Sequence, residues 1–354
     1  MENSRVELSK AAVDFAPDGV PYAAILPPGY DQSGPVPLCL VLHGGGGNRQ
    51  NLVETKPLYD ALWASGAMPP MVLASASVSP LGFYLDHPES NVRWERFIAQ
   101  DFVAHLRRTY KVRTDRSSTI ISGISMGGHG SLRIAFRYPD RFAAVAALEP
   151  AIDPALKLED VTARNRFFYP LVLDSGGDHS AEGLVGTRRD AALFDANNPA
   201  NVAIANVDAI RRSGLAIYIE AGDEDVFNLH DGAEFLHRVL WDLDIPHEYH
   251  MACGADHVGP SLPRRMRATY TWVGSMLTPP DPAENQITTA EQVWVEWMEH
   301  PSKENPPVID PNSPAMVRAY RRWLASPREA TAKIDPATNR RYGILPGTGL
   351  KPEA

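Results

Sequence analysis

Cysteine is nearly absent: two residues in a chain of 354 are too few for the disulfide framework that staples small secreted domains. Cys39 and Cys253 sit in the apolar, strand-like runs PLCLVL and HEYHMAC, where a free thiol is expected to pack as a small hydrophobe rather than to bridge or catalyse. No apolar stretch approaches the roughly 18 residues that a membrane span needs. The start, MENSRVELSK, lacks the basic-then-apolar order of a signal peptide. A cytoplasmic protein with no membrane partner is therefore expected. Basic runs never exceed Arg107-Arg108 or Arg321-Arg322, and the formal net charge is -9. Such a surface has little with which to displace counterions from a phosphate backbone, which excludes nucleic acid as the expected partner. Internal repeats, low-complexity tracts, CxxC pairs and Asp-rich calcium loops are missing as well, so neither a metal nor a cofactor is implied.

What is present is an ordinary globular composition, 44% hydrophobic and 22% charged, with enough apolar residues for a large core. Proline is unevenly spread: 12 of the 31 fall within residues 278–354, which places a boundary near Leu277. Before it, short β-rich runs alternate with helix-period segments, the pattern of a mostly parallel sheet flanked by helices. Strands are expected at Tyr22–Leu26, Leu38–Leu42, Met71–Ala76, Thr119–Ser122, Ala143–Leu148, Ala216–Ala221 and Glu248–Ala252. The clearest helix runs from Trp94 to Tyr110, with Trp94, Phe97, Ile98, Phe102 and Leu106 spaced by three and four. Others run from Gly128 to Tyr138, stopping at Pro139, and from Asp231 to Trp241, burying Phe235, Leu236, Val239 and Leu240. Residues 153–200 have little periodicity and read as an irregular insertion, a candidate lid. Residues 278–354 form a Pro-rich extension with helix candidates at Thr289–Glu299 and Ser313–Ala325. Trp294, Trp297 and Trp323 are its apolar anchors. Two short helices bury too little surface to offset their chain entropy, so the extension is expected to dock on the main domain, residues 1–277. It is also a candidate contact for a homo-oligomer.

The segment TIISGISMGGHGSL carries the chemistry. Gly123, Ser125 and Gly127 form GxSxG between an apolar strand and an amphipathic helix. A strand that reverses sharply into a helix holds the Ser at the apex in a strained conformation, and Gly on either side avoids clashes with neighbouring chain. Upstream, the strand LCLVL runs directly into His43 and four glycines. Acyl transfer places negative charge on a former carbonyl oxygen, and fixed backbone N–H groups stabilise it by about 3 kcal/mol each. Met126, following the nucleophile, and Gly45 are the expected donors, with Gly44 as the alternative to Gly45. A phosphate-cradling loop would carry a following Lys and Ser/Thr, which HGGGGN lacks.

A Ser nucleophile needs a base, and the base needs an acid that holds its tautomer. In strand-turn-helix hydrolases the chain order is Ser, acid, His. The late strand AIYIEA leads into Asp223, Glu224 and Asp225; Asp225 is preferred, with Asp223 as the alternative. Order removes His43, His87, His105, His129 and His179. Of the six that remain, His237 lies in a helix, His247 and His250 in a strand, His300 in the extension, and His230 too close behind the acid. His257, in the loop CGADHVGP after the last strand, is the expected base. The two His of HEYH (247–250) point to opposite faces of a strand and cannot share a metal. Phe83, Tyr84 and Trp94 are candidates to line a substrate pocket, although aromatic residues there equally suit the core.

These motifs resemble the α/β-hydrolase superfamily, and within it the esterase group that includes esterase D (S-formylglutathione hydrolase), feruloyl esterases and mycolyltransferases. GISMGGHGSL at 123–132 is similar to the esterase D elbow, LGFYLD at 81–86 resembles a segment found there, and GDED at 222–225 matches the GxxD pattern of the group. The resemblance covers about residues 20–277. It implies an α/β-hydrolase fold and serine ester hydrolysis of a small-molecule ester, without a cofactor, by Ser125, Asp225 and His257 as triad. Acyl transfer to another acceptor through the same triad, or a non-catalytic binding module of the same fold, are the alternatives.

Overall fold

Strands covered on both faces read as near-continuous apolar runs, because neither face meets water; LCLVL at 38–42 and TIISGI at 119–124 are such runs. The computed structural model describes residues 3–87, 91–162, 164–165 and 191–278. Its strands are β1 (Arg5–Val13), β2 (Ala16–Leu26), β3 (Leu38–Leu42), β4 (Val72–Ala76), β5 (Asp86–His87), β6 (Val92–Arg93), β7 (Thr119–Ile124), β8 (Ala144–Leu148), β9 (Ala216–Gly222) and β10 (Glu248–Ala252). Eight of them form one sheet in the order β1-β2-β4-β3-β7-β8-β9-β10, while β5 and β6 pair separately. From β4 to β10 every pairing is parallel; β1 and β2 run antiparallel to each other, and β2 to β4. This is the mostly parallel, helix-flanked α/β-hydrolase sheet that the resemblance implies.

All seven expected strands are present. The strands missing from the sequence reading are β1 and the short pair β5 and β6; β1 is the one that belongs to the large sheet. β1 pairs along β2 from Arg5↔Leu26 to Val13↔Ala16, but Leu8 is 58% exposed and only Ala11 of the strand is buried. An edge strand held by ladder hydrogen bonds rather than by burial carries little apolar pattern to read.

Helices pack on both faces: α1 (Gln50–Glu54), α2 (Lys56–Ser65), α3 (Trp94–Arg96), a π-helical segment Phe97–Phe102, α4 (Val103–Thr109), α5 (Met126–Arg137), α6 (Ala191–Asn197), α7 (Pro199–Ala205), α8 (Val207–Ser213), α9 (Leu229–Asp242) and α10 (Leu262–Leu277). Alternate strand residues divide between two cores. Leu38, Leu40, Ile121, Val145 and Ile219 pack with Phe97, Phe102, Leu132, Ala200 and Leu236. Cys39, Leu73, Ile120, Ala146 and Tyr218 pack with Tyr59, Leu62, Tyr270 and Val273 on the other side. The period of two along a strand produces this division.

The segment expected as one helix from Trp94 to Tyr110 contains a π turn. Phe97 and Phe102 stack at 5.4 Å with an interplanar angle of 24°. Residues five apart diverge around an α-helix but come together when the turn widens to i→i+5 bonding, so ring packing is the physical reason for the wider turn. On α9, Leu236 and Leu240 are buried, whereas Phe235 and Val239 are partly covered.

Cys39 is buried, as expected, but Cys253 is exposed: β10 is a sheet edge and ends at Ala252, so the residue after it has no second layer to pack under. The far end of the stretch read as irregular is helical, α6 and α7, and Leu158–Asp160 forms a single 3-10 turn; residues 163 and 166–190 of that candidate lid lie outside the described residues. So do the helix candidates Thr289–Glu299 and Ser313–Ala325 with Trp294, Trp297 and Trp323. No helix among the described residues is long and apolar enough to cross a membrane.

Candidate active site

Parallel strands deliver their C-terminal residues to one edge of the sheet. Register pairs Leu42 with Gly123, Ile124 with Leu148, Leu148 with Glu220, and Ala252 with Gly222, so the loops that follow β3, β7, β8, β9 and β10 all open there. Ser125 sits between β7 and α5 at φ 56 and ψ -117, a region that a non-glycine residue occupies at a cost of about 1–3 kcal/mol. The elbow is tight enough to explain both flanking glycines. A Cβ on Gly123 would lie 2.3 Å from the Gly127 carbonyl oxygen, and one on Gly127 would lie 2.2 Å from the Leu42 carbonyl oxygen. The apex is tied to the neighbouring strand end: Ser125 N donates to the Leu148 carbonyl at 2.9 Å, and Ala151 N donates to the Ser125 carbonyl at 3.1 Å.

The glycine loop after β3 lies against this apex. The Cβ position of Gly44 would be 3.5 Å from the Ser125 Cβ, while Gly45 is exposed. The amides of Gly44, Gly45 and Met126 donate to no acceptor among the described residues. What shapes the loop is the segment PLGFYLD at 80–86. Gly46 N donates to the Pro80 carbonyl at 2.8 Å, and the Tyr84 hydroxyl donates to the His43 carbonyl at 2.9 Å. Phe83 and Tyr84 both have positive φ, 47° and 59°, and Arg133, fully buried on α5, holds this strained turn by donating to the Tyr84 carbonyl at 2.5 Å. Arg133 is itself neutralised by Glu95 at 2.9 Å.

The structure places each of the three candidate pocket residues. Tyr84 is fully buried, with its ring against Gly130 and its hydroxyl on the backbone of the glycine loop at His43. Phe83 is enclosed and meets the His129 ring edge-on at 5.4 Å. Trp94 packs against Phe15 and Phe97 at 5.0 and 6.1 Å. All three are core contacts, and the first two buttress the site from beneath. Tyr84→Phe keeps the ring but orphans a buried carbonyl; it is expected to lower stability by about 1 kcal/mol, which calorimetry would read as a Tm lower by roughly 2–4 °C.

Asp225 and His257 meet directly. His257 Nδ1 donates to Asp225 Oδ2 at 2.7 Å, and Phe227 N donates to Asp225 Oδ1 at 2.6 Å. With Nδ1 carrying the proton, Nε2 is the basic nitrogen. The Phe227 ring stands edge-on to the imidazole at 4.8 Å. Burial pushes the Asp225 carboxyl up, but the hydrogen bond and charge of His257, together with the Glu149 and Phe227 hydrogen bonds, outweigh it and hold the group below the usual carboxylate range. Its stabilising contribution is therefore present above the unfolded carboxylate pKa and is lost as pH falls through the lower folded value. Asp223, the alternative acid, is exposed and accepts from Gly254 N at 2.6 Å instead. His247 precedes β10, and its Nε2 faces His237 Nδ1 at 2.8 Å.

Three residues at this edge escaped the sequence reading. Arg265, buried on α10, donates from Nη1 to Glu149 and to Glu220 Oε1 at 3.0 Å, from Nη2 to the Asp256 carbonyl and to the His257 carbonyl at 3.1 Å, and from Nε to Ser261 Oγ at 3.1 Å. One guanidinium thus clamps the loop that presents His257. Glu149 follows β8 at φ 43; its backbone N–H donates to the Glu220 carbonyl at 2.7 Å. Burial, then the hydrogen bond and charge of Asp225, and then Glu220 raise the Glu149 carboxyl well above the usual range, against the pull of Arg265. A signal did exist: Glu149 and Glu220 are lone acids inside the apolar runs AALEPAI and AIYIEAG, where an ionisable group must find a partner.

Glu149, Asp225 and His257 each offer a ligand-type atom within 4.8 Å of the others, the one such cluster among the described residues. The donor set is ill suited to a cation. The His257 nitrogen that faces Asp225 carries a proton, and the Arg265 guanidinium already occupies Glu149 Oε1.

A family model described as "Putative esterase" matches residues 18–256. An acetyl esterase of Caldicellulosiruptor saccharolyticus is 33% identical over 70 residues, 20% of this chain and 26% of that protein. An S-formylglutathione hydrolase of Paracoccus denitrificans (strain Pd 1222) is 32% identical over 78 residues, 21% of this chain and 27% of that protein. The aligned segments span about a quarter of the length of these curated relatives. Among solved structures, a ferulic acid esterase superposes with a TM-score of 0.64 over 78% of this chain and 100% of that one, at 18% identity. At that identity the likeness is one of fold, and residue roles rest on the site itself.

Proposed function

Because the chain belongs to the esterase family whose model spans residues 18–256, we propose that it hydrolyses small-molecule carboxylic esters through an acyl-enzyme formed on Ser125. The observation that carries this reading is the 2.7 Å hydrogen bond from His257 Nδ1 to Asp225, on the same sheet edge as the strained Ser125 apex. His257 Nε2 takes the hydroxyl proton as Ser125 Oγ attacks the ester carbonyl, and Asp225 stabilises the imidazolium that results. The N–H groups of Met126 and Gly45 take up the oxyanion, with Gly44, which packs against Ser125, as the alternative to Gly45. His257 then protonates the departing alcohol, and afterwards activates the water that releases the acid. No step calls on a metal or an organic cofactor.

A fluorophosphonate probe tests the reading, since only an activated serine reacts with it. Stoichiometric labelling is expected, with the adduct on the peptide that carries Ser125, together with turnover of p-nitrophenyl acetate. An unlabelled protein that leaves the ester intact, or an adduct on another residue, would sink the proposal. The relatives are named for acetyl, S-formylglutathione and ferulic acid substrates. A panel of acetyl, feruloyl and longer acyl esters, with a thioester, would therefore sort the acyl group.

A further inference from the structure

The site edge holds more acid than a serine, a base and one carboxylate require. Glu149 lies behind Asp225, and neither side chain has any exposed surface. Both Asp225 oxygens are occupied, Oδ2 by His257 Nδ1–H and Oδ1 by Phe227 N–H. Glu149 Oε1 accepts from Gly222 N at 2.8 Å and from the Arg265 guanidinium. The remaining oxygen, Oε2, is buried and receives no hydrogen bond. It belongs to a carboxyl group that has an oxygen within 4.8 Å of an Asp225 oxygen. Two carboxylates at that range repel each other, and neither has a proton to give. A proton on Oε2 removes both faults at once, the repulsion and the orphaned atom.

Charge counting in the enclosure agrees. Glu149, Glu220 and Asp225 face one guanidinium, Arg265, and the imidazole of His257, with the Tyr249 hydroxyl of β10 in electrostatic reach. Three ionised carboxylates and a neutral imidazole would leave two uncompensated negative charges among buried side chains. With Glu149 neutral one remains, at Asp225, where the imidazolium forms during turnover.

We infer that Glu149 is a positioning residue of this site: a neutral carboxylic acid whose Oε2–H donates to the Asp225 carboxylate and holds it in register with His257. Its catalytic consequence rests on the hydrolase reading above; its protonation does not. Burial and the Asp225 charge both favour the neutral form of Glu149. The left-handed φ of 43° at Glu149 turns the chain at the end of β8. Such a conformation in a non-glycine residue is retained where surrounding structure over-determines it.

Glu149→Gln preserves the pattern, since its carbonyl can accept from Gly222 and Arg265 and its NH2 can donate to Asp225. Its kcat/KM is expected within about 3-fold of wild type, with the acidic limb of the pH profile unmoved. Glu149→Leu has similar volume but no donor; kcat is expected to fall by about 10- to 100-fold with KM little changed. If Glu149 were ionised, Glu149→Gln would delete a negative charge beside His257 and move the acidic limb to lower pH, and that result would overturn the inference. So would wild-type kcat in Glu149→Leu. Infrared difference spectroscopy of the intact protein at neutral pH reads the proton directly. A protonated-carboxyl C=O stretch present in wild type and lost in Glu149→Gln is expected, and its absence from wild type would refute the assignment. The band is independent of turnover, so a protein that shows it but resists fluorophosphonate labelling would lose the hydrolase reading and keep the neutral acid.

Discussion

Ser125→Ala is expected to lower kcat for p-nitrophenyl acetate by at least about 10⁴-fold, with KM changed by no more than a few-fold. The size follows from the step that is lost. In the proposed mechanism there is no acyl-enzyme without Oγ, and His257 can only activate water against an ester held by the amides of the glycine loop. Preorganised N–H donors alone retain some rate above the uncatalysed reaction, so activity should fall to a low floor rather than to the solvent background. The fold should survive, because alanine meets the same backbone strain at φ 56 as serine does and the elbow is held by Gly123, Gly127 and the Leu148 carbonyl. Stopped-flow hydrolysis with a matched calorimetric scan separates the two quantities. A variant that keeps wild-type kcat would remove Ser125 from the mechanism.

The other large effect is expected at a residue far from the elbow in sequence. Arg265→Met should destabilise the protein by about 3–5 kcal/mol, because removing one partner of a buried ion pair leaves the Glu220 carboxylate uncompensated and takes a donor from Glu149 Oε1. In a unit of this size that corresponds to a Tm lower by roughly 6–20 °C. Activity should fall as well, since the same guanidinium holds the Asp256 and His257 carbonyls and so the loop that presents the base. Arg265→Lys should recover little: an ammonium is a point charge and cannot span Glu149, Glu220, Ser261 and two carbonyls at once. Combining Arg265→Met with Glu220→Gln should regain part of the lost stability, because one orphaned charge goes with its partner. A Tm for Arg265→Met within about 2 °C of wild type would contradict the burial and bonding assigned to Arg265.

Sequence pattern carried the fold where burial is two-sided. The runs LCLVL, TIISGI and AIYIEA are apolar because sheet neighbours and helices cover both faces, and each is a strand within a residue or two of its expected bounds. It failed at β1, whose place depends on pairing with β2, and at the π turn, whose width follows from the stacking of Phe97 on Phe102. Cys253 was misread for a related reason. A run of apolar residues does not reveal that the strand ends at Ala252 on an uncovered edge.

Ser125, the glycine loop, Asp225 and His257 could be proposed from sequence because each demand on them is local: a tight turn needs Gly123 and Gly127, and a base in a loop after the last strand needs only chain order. By itself, then, the sequence determined the sheet, the elbow and the residues that could carry acyl chemistry. Tertiary structure alone decided what holds them. Arg265 reaches Glu149 across 116 residues and Tyr84 reaches His43 across 41. Such partners have no periodicity or spacing to betray them, because they become neighbours only when parallel strands bring their carboxyl ends to one edge. There, burial leaves every charge and carbonyl in need of a partner from another part of the chain.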